Sequence, residues 1–463
     1  MTLAIIIMAA GKGTRMKSTR PKVLHTLAGQ PLLGHVLHTA ATLNAQHTTV
    51  VTGHGAEAVE TCVAGINGAA RCVRQMPQLG TGHAVQQAVP ILPDTGTALI
   101  LNGDVPLIAA RTAQALVQAC AGQHLALLTI ELQDASGYGR ILRNAAGVIT
   151  GIVEHKDASE EQRRIREVYT GVMAAPTAWL KGAVMNLRND NAQGEYYLTD
   201  VVAQAVADGL KVTSAQAPSE TEVLGVNSPA QLADLERRHQ LQQAQALMEA
   251  GVRLNDPARL DVRGRLTCGT DVEIDVNCIF EGTVHLADGV RVGAHCVIAD
   301  ALIGEGAVIH PYTHIDGAGQ PVQVGPRSLV GPYARLRPGA QLGAEVHIGN
   351  FVEVKNSQLA DGAKANHLAY LGDSTVGQWV NFGAGSITAN YDGAHKHRTV
   401  IEHDAHVGSN CVLVAPVTVG AGATIGAGST IGKNAPAGQL TVARAKQVSL
   451  SGWVRPTKEK KAP

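Results

Sequence analysis

The stretch VGPRSLVGPYARLRPGAQLGAEVHIGNFVEV, residues 324–354, decides the architecture of half of this chain. Its apolar residues Val324, Val330, Leu336, Leu342, Ile348 and Val354 recur at every sixth position, and Ile401, Val407, Leu413, Val419, Ile425 and Ile431 repeat the pattern. A period of six matches neither a helix nor a plain strand. Glycine follows many of these positions (Gly325, Gly331, Gly343, Gly349, Gly408, Gly420, Gly426, Gly432). Such hexapeptide repeats predict a parallel β-helix: three short faces close a coil of about eighteen residues, and each listed apolar side chain points into a narrow prism. Function must then lie on the outside of the rod, between copies of it, or in the other half of the chain.

Working outward, the lattice begins near Leu254 and continues to about Pro436. It has faults. The apolar step drops to five between Val354 and Leu359 and between Leu371 and Val376, and it is lost between Thr388 and Ile401 across NYDGAHKHRTV. Insertions in solenoids are surface loops, often on the binding face, so this segment is a candidate site loop. Before the lattice, Ser228-Pro229 offers a cap followed by Pro at the first helical position, and Gly251 closes the segment, which predicts one connecting helix. Residues 2–227 alternate apolar runs (AIIIMAAG, TTVVTGH, TALILNGD, LALLTIEL, VYTGVMAA) with helix-like stretches, predicting an α/β layer with mostly parallel strands and ligands at their carboxyl ends. The expected organisation is therefore 1–227, a globular α/β domain; 228–251, the helix; and 252–463, the β-helix with a disordered Lys-rich tail from Lys458 to Pro463.

Composition narrows the function classes. Lys plus Arg and Asp plus Glu number 38 each, so no global field argues for nucleic acid or an anionic membrane, and phosphate binding must be local. Aromatic content is only 3%, in keeping with a thin solenoid core. The seven cysteines are scattered without a CxxC pair, which reads as reduced thiols in a cytoplasmic protein. Leu3 to Ala10 lacks a basic leader and runs straight into Gly11-Lys12-Gly13, so it reads as a buried strand rather than a signal segment. No stretch approaches the roughly 20 apolar residues that span a bilayer.

Chemistry enters at Ala9-Ala10-Gly11-Lys12-Gly13-Thr14-Arg15-Met16, followed by Pro21-Lys22. Glycines at 11 and 13 let the backbone approach a polyphosphate, with Lys12, Arg15 and Lys22 adding charge. By itself the GxG is also an ordinary tight turn. The whole string, with Gln75, LGTGHA (79–84), NGDVPL (102–107), GYGR (137–140), GIVEHKDA (151–158), GEYYLTD (194–200) and GVN (225–227), resembles the signature of sugar-phosphate nucleotidyltransferases. With the β-helix added, the full chain resembles the bacterial bifunctional N-acetylglucosamine-1-phosphate uridylyltransferase/glucosamine-1-phosphate N-acetyltransferase family.

That resemblance implies a Rossmann-like nucleotidyltransferase domain, a linker helix and a left-handed β-helix. It also implies cytoplasmic homotrimers acting on small molecules, with no nucleic acid or membrane partner. The first domain would join N-acetylglucosamine 1-phosphate to UTP, releasing pyrophosphate, with Mg²⁺ held by Asp104 and Asn227. Met8, Ala9, Ala10, Gly11, Arg15 and Lys22 would lie along the nucleotide; Gln75, Gly80 and Thr81 would read uracil; Asn102, Gly139, Glu154, Tyr169, Thr170 and Asn227 would hold the remaining substrate groups. Asp104 taken alone is equally a strand-end turn residue. Two departures stand out, since the family commonly has Tyr at the place of Asn102 and Asn at that of Tyr169.

On the rod, Arg337 and Lys355 stand one coil apart, so they should stack about 4.8 Å from each other. Cations that close repel unless an anion lies beside them, which suggests a phosphate pocket; relief by a neighbour such as Glu353 is the competing reading. His367, in Asn366-His367-Leu368-Ala369-Tyr370, matches the family's general base, which would take a proton as an amine attacks a thioester. The resemblance adds Arg337, Lys355, Tyr370 and Asn381 for glucosamine 1-phosphate, and Ala384, Asn390, Tyr391, Ser409, Ala427 and Arg444 for acetyl-CoA. Three rivals remain open at this level: a monofunctional nucleotidyltransferase whose rod only assembles it, a zinc hydratase using His395, His397, His403 and His406, and a purely structural solenoid.

Overall fold

A computed structural model describes residues 2–191 and 193–458, so most of the expected tail, residues 459–463, lies outside the described residues. The chain divides into two compact units, Met1–Gln242 and Gln243–Pro463.

All five apolar runs of the first unit form strands of one sheet, joined at its edges by two further strands, in the order Val212–Gln216, Leu125–Glu131, Glu167–Pro176, Thr97–Asn102, Leu3–Met8, His47–Thr52, Arg71–Arg74. The runs are continuous rather than alternating because both faces are covered. One face is packed by Leu33, Val36, Val59, Val63 and Leu116; the other by Val85, Leu180, Val184, Val201 and Val202. Ile5, Ile6 and Ile7 are fully buried between them. Each such side chain is worth about 1.5–3 kcal/mol of burial, which pins the central strand. The sheet is less parallel than the alternation predicts. Glu167–Pro176 runs antiparallel to both neighbours, because the hairpin Gly139–Arg143/Ile149–Val153 reverses the chain before it. Hydrophobic periodicity carries no information about strand direction.

The connecting helix spans Pro229–Glu249. Ser228 Oγ accepts the Gln231 N–H at 3.3 Å, which satisfies one orphan donor of the first turn. At the far end Gly251 takes φ +98°, a conformation that side-chain-bearing residues avoid.

The second unit is a left-handed parallel β-helix. None of the twelve lattice residues is more than 4% exposed. One face is an 11-stranded sheet, and the other two join in a 16-stranded sheet through the long strand Val297–Ile303. Leu336 pairs with Val354, a full coil of eighteen, whereas Leu342 pairs with Leu359 and Leu359 with Val376, so each five-residue step shortens a coil by one. The lost lattice is a true insertion: Val376 pairs with Ile401, and the residues between Ala389 and Thr399 leave the rod as a loop in which Tyr391 bridges Lys396.

Candidate active sites

A cleft of about 610 Å³ opens at the carboxyl ends of Leu3–Met8 and Thr97–Asn102. It gathers residues from distant motifs: Met8, Ala9, Ala10, Gly11, Arg15, Lys22, Gln75, Gly80, Thr81, Asn102 and Asp104 all line it. Gly13, at φ +60°, is required by packing, since a Cβ there would lie 2.6 Å from the Lys22 Cβ. The loop can therefore fold tightly over Lys22 only without a side chain. At the other wall Gln75 Nε2 donates to the Gly80 carbonyl at 2.9 Å. Gly80, at φ +105°, presses against the Tyr196 carbonyl, and Tyr196 N–H donates to the Leu79 carbonyl at 2.8 Å. The GEYYLTD motif thus backs the LGTGHA loop, and Gln193 and Glu195 from that segment also line the cleft.

The most informative contact in this cleft belongs to Lys22. Its ammonium donates to Asp104 Oδ2 and, at 3.0 Å, to Asn227 Oδ1. Val226 N–H donates to the Asp104 carbonyl at 2.9 Å, which holds the GVN segment alongside the strand end. Two oxygen donors from residues far apart in sequence therefore converge on one cation position. Hard oxygen ligands of this number, completed by phosphates and water, fit a divalent cation.

Gly139 and Tyr169 are register partners on adjacent strands, and Glu154 Oε1 lies 3.6 Å from the Cβ direction of Gly139. Glu154 accepts the Thr199 hydroxyl at 3.1 Å, and burial pushes its carboxyl above the usual range, helped by Asp157 and Asp200. These residues form a separate group that does not line the main cleft. Tyr169 is buried in the apolar layer with no partner on its hydroxyl among the described residues, and burial, then the Glu154 charge, raises that phenol well above its ordinary value. Thr170 turns the other way and donates to the Leu128 carbonyl at 3.0 Å. Asn102 uses its amide to hold the Gly171 carbonyl at 3.1 Å. The Asn102 departure thus bonds to the strand that carries the other, two residues from Tyr169.

On the rod, the corner before the third face collects cations. Arg337 pairs with Glu353 at 2.8 Å, as the competing reading of that residue foresaw. Lys355 is dominated instead by other cations. It is held below the ordinary lysine value first by its contact with Lys396, then by burial and by the charges of Lys396 and Arg337, with Asp373 opposing. Lys396 comes from the insertion and has no lattice signal, so sequence periodicity missed it. The loop that carries it is tied down by Asp392, which accepts the backbone N–H of His395 and Ala394 and the His397 ring at 2.6 Å, and whose carboxyl lies far below the usual range. Asn390 is buried, and its amide donates to Asp373. Tyr391 is 62% exposed and donates to the Gly393 carbonyl. Tyr370 lies over Gly372, where a Cβ would meet its hydroxyl at 2.3 Å. Asn381 stands on another face, between Lys364 and His406.

His367 is exposed at the corner between the first and second faces. Gly385 N–H donates to the His367 carbonyl, Asn410 N–H to that of Ala384, and Gly428 N–H to that of Ser409. Three of the residues expected at acetyl-CoA, Ala384, Ser409 and Ala427, therefore rise in one column directly beyond the imidazole, and Arg444 reaches back to the Ala427 carbonyl at 2.5 Å. One residue absent from the sequence-derived set stands below: His367 Nδ1 lies 3.0 Å from Asn350 Oδ1. The shortened coil places Asn350 seventeen residues earlier as the register partner of His367, the signal that could have found it. Among the described residues, no group of three His, Cys, Asp or Glu side chains is placed to hold a metal ion, and the histidines at 395, 397, 403 and 406 do not converge.

Comparison with known proteins agrees with both halves. The MobA-like NTP transferase domain family matches residues 5–184, and the bacterial transferase hexapeptide family (six repeats) matches residues 398–433. The "Bifunctional protein GlmU" of Methylibium petroleiphilum is 72% identical, covering 99% of this chain and all of its own. That of Paracidovorax citrulli is 66% identical over 99% of both. Among solved structures, a UDP-glucose pyrophosphorylase complexed with UDP-glucose aligns with 52% of this chain and 98% of its own, at 17% identity and a TM-score of 0.42.

Proposed function

The chain belongs to the bifunctional GlmU family, and on that premise we propose that each of its two units carries one of the family's two transfers on the residues described above. The enzyme acetylates glucosamine 1-phosphate with acetyl-CoA. It also transfers UMP from UTP to N-acetylglucosamine 1-phosphate, giving UDP-N-acetylglucosamine and pyrophosphate. The observation that supports the assignment is charge placed to suit phosphate in both units: Asp104 and Asn227 oxygens around one cation position in the first, and Lys355 beside the charges of Lys396 and Arg337 in the second.

In the first cleft, a phosphate oxygen of N-acetylglucosamine 1-phosphate attacks the α-phosphorus of UTP as the bond to the bridging oxygen of pyrophosphate breaks. Catalysis of this step is mostly positioning and charge neutralisation. Mg²⁺ held by Asp104 and Asn227 would supply Lewis-acid neutralisation of the phosphates. Lys22 must then leave that position, and its ammonium is free to turn to the triphosphate beside Arg15 and the Gly11–Gly13 backbone. Gln75, Gly80 and Thr81 face the base, while Glu154 and Gly139 receive the sugar.

In the second unit, Arg337, Lys355 and Lys396 hold the phosphate of glucosamine 1-phosphate beside Tyr370. The amine nitrogen attacks the thioester carbonyl; His367 Nε2 takes the amine proton and passes it to the departing thiolate as the C–S bond breaks. Ala384, Ser409 and Ala427 line the path of acetyl-CoA. An exposed base, and an Asn381 on another face, imply that a neighbouring copy walls the site, and a homotrimer satisfies this. Seven unpaired thiols suit a cytoplasmic enzyme.

The direct test incubates purified protein with glucosamine 1-phosphate, acetyl-CoA, UTP and Mg²⁺ and looks for UDP-N-acetylglucosamine, omitting each component in turn. Product from N-acetylglucosamine 1-phosphate and UTP with no acetyl-CoA turnover would leave a monofunctional nucleotidyltransferase.

A further inference from the structure

We infer that Asn350 is a positioning residue for acetyl transfer, fixing the tautomer and orientation of the His367 ring so that Nε2 is the proton acceptor. The inference rests on the assignment of His367 as the base. In the corner column, the residues immediately before the turn are Pro311, Pro332, Asn350, His367, Ala384, Ser409 and Ala427. Pro and Ala offer an imidazole no side-chain acceptor. Asn350 is the one member of this run next to His367 that can bond its ring, and the 3.0 Å contact uses Nδ1.

The geometry is held by the backbone on both sides. Strand residues Asn350 and His367 are direct register partners, and Leu368 N–H donates to the Asn350 carbonyl at 3.0 Å. The following corner residues add stiffness: the Tyr312 and Tyr333 rings stack at 5.0 Å, and Tyr333 on Phe351 at 5.4 Å. Asn350 is therefore carried on a coil whose corner is braced from below. If Nδ1–H donates to the amide oxygen, the neutral ring must present its Nε2 lone pair, which is the state a general base requires. An amide partner adds no charge. A carboxylate at the same distance would favour the imidazolium and leave less of the ring in the basic form at neutral pH.

The test uses the full chain and two variants, each checked for an unchanged melting temperature. Asn350→Ala should lower kcat for acetyl transfer by about tenfold or more, part of the roughly 10²–10⁴ that a positioned base supplies, with little change in KM for either substrate. Asn350→Asp should recover much of that rate at high pH while moving the acid limb of the pH–rate profile upward by about one unit or more. A folded Asn350→Ala enzyme with wild-type kcat, or a folded Asn350→Asp enzyme whose acid limb stays in place, would overturn the inference. Acetyl transfer that survives His367→Ala would instead overturn the assignment on which it rests.

Discussion

Lys22 occupies the point where Asp104 and Asn227 converge, so the protein's own ammonium stands where a divalent cation would bind. Asp104→Ala removes the charged member of that pair. It is expected to reduce uridylyl transfer by about 100-fold or more while acetyl transfer continues, as measured by pyrophosphate release against Mg²⁺ concentration. At the second site the relevant charge is that of Lys355, whose ionised form is destabilised by Lys396, burial and Arg337. Because its pKa is lowered, Lys355 loses its proton at lower pH than an ordinary lysine. The KM for glucosamine 1-phosphate should therefore climb on the alkaline side earlier than free lysine chemistry predicts. Lys396→Ala removes the largest cause of the shift and should move that alkaline rise to higher pH, while raising KM at neutral pH through the lost cation. A pH series of KM for both enzymes checks the two effects separately.

At the scale of elements, the strands of the rod supply register and the departures from register supply chemistry. From Val324 to Ile401 the lattice is interrupted by two five-residue steps and one insertion, and Asn350, His367, Tyr370 and Lys396 all lie on the coils they affect or between them. Gly372 belongs to such a coil. Gly372→Ala would push a methyl group to within 2.3 Å of the Tyr370 hydroxyl, the far end of a movable side chain. The ring can swing aside, so stability should fall by no more than about 1 kcal/mol, whereas KM for glucosamine 1-phosphate should rise several-fold. Calorimetry alongside acetyl-transfer kinetics reads both quantities.

For the whole molecule, two compact units with their own cores predict separable activities. His367→Ala should abolish acetyl transfer and leave uridylyl transfer nearly intact. If the proposed trimer and site assignments hold, dilution to where copies dissociate should suppress acetyl transfer first, because His367 is exposed in the single chain while the cleft around Lys22 and Asp104 is lined within one unit. Activity measured against protein concentration, with sedimentation at the same concentrations, checks this. Equal loss of both activities on dilution would contradict it.

Sequence alone determined the rod, its eighteen-residue coil, its faults after Val354 and the strand runs of the first unit, because these depend on which side chains must leave water, and that demand is periodic along the chain; the irregular coils between Glu281 and Val322 are not legible in it. Motif resemblance reached most of the cleft for the same local reason: each motif is a strand end or turn whose residue types suit one task. Tertiary structure decided the rest. The meeting of Lys22, Asp104 and Asn227, the reversed strand Glu167–Pro176, the union of Asn102 with Gly171, and the approach of Lys396 to Lys355 depend on where loops land in space. No periodicity records that, because a loop's course is set by the surface it crosses rather than by its own spacing. The Asn350–His367 contact sits at the boundary between the two: its seventeen-residue spacing is written in the chain, yet only the register of stacked coils turns that spacing into a hydrogen bond.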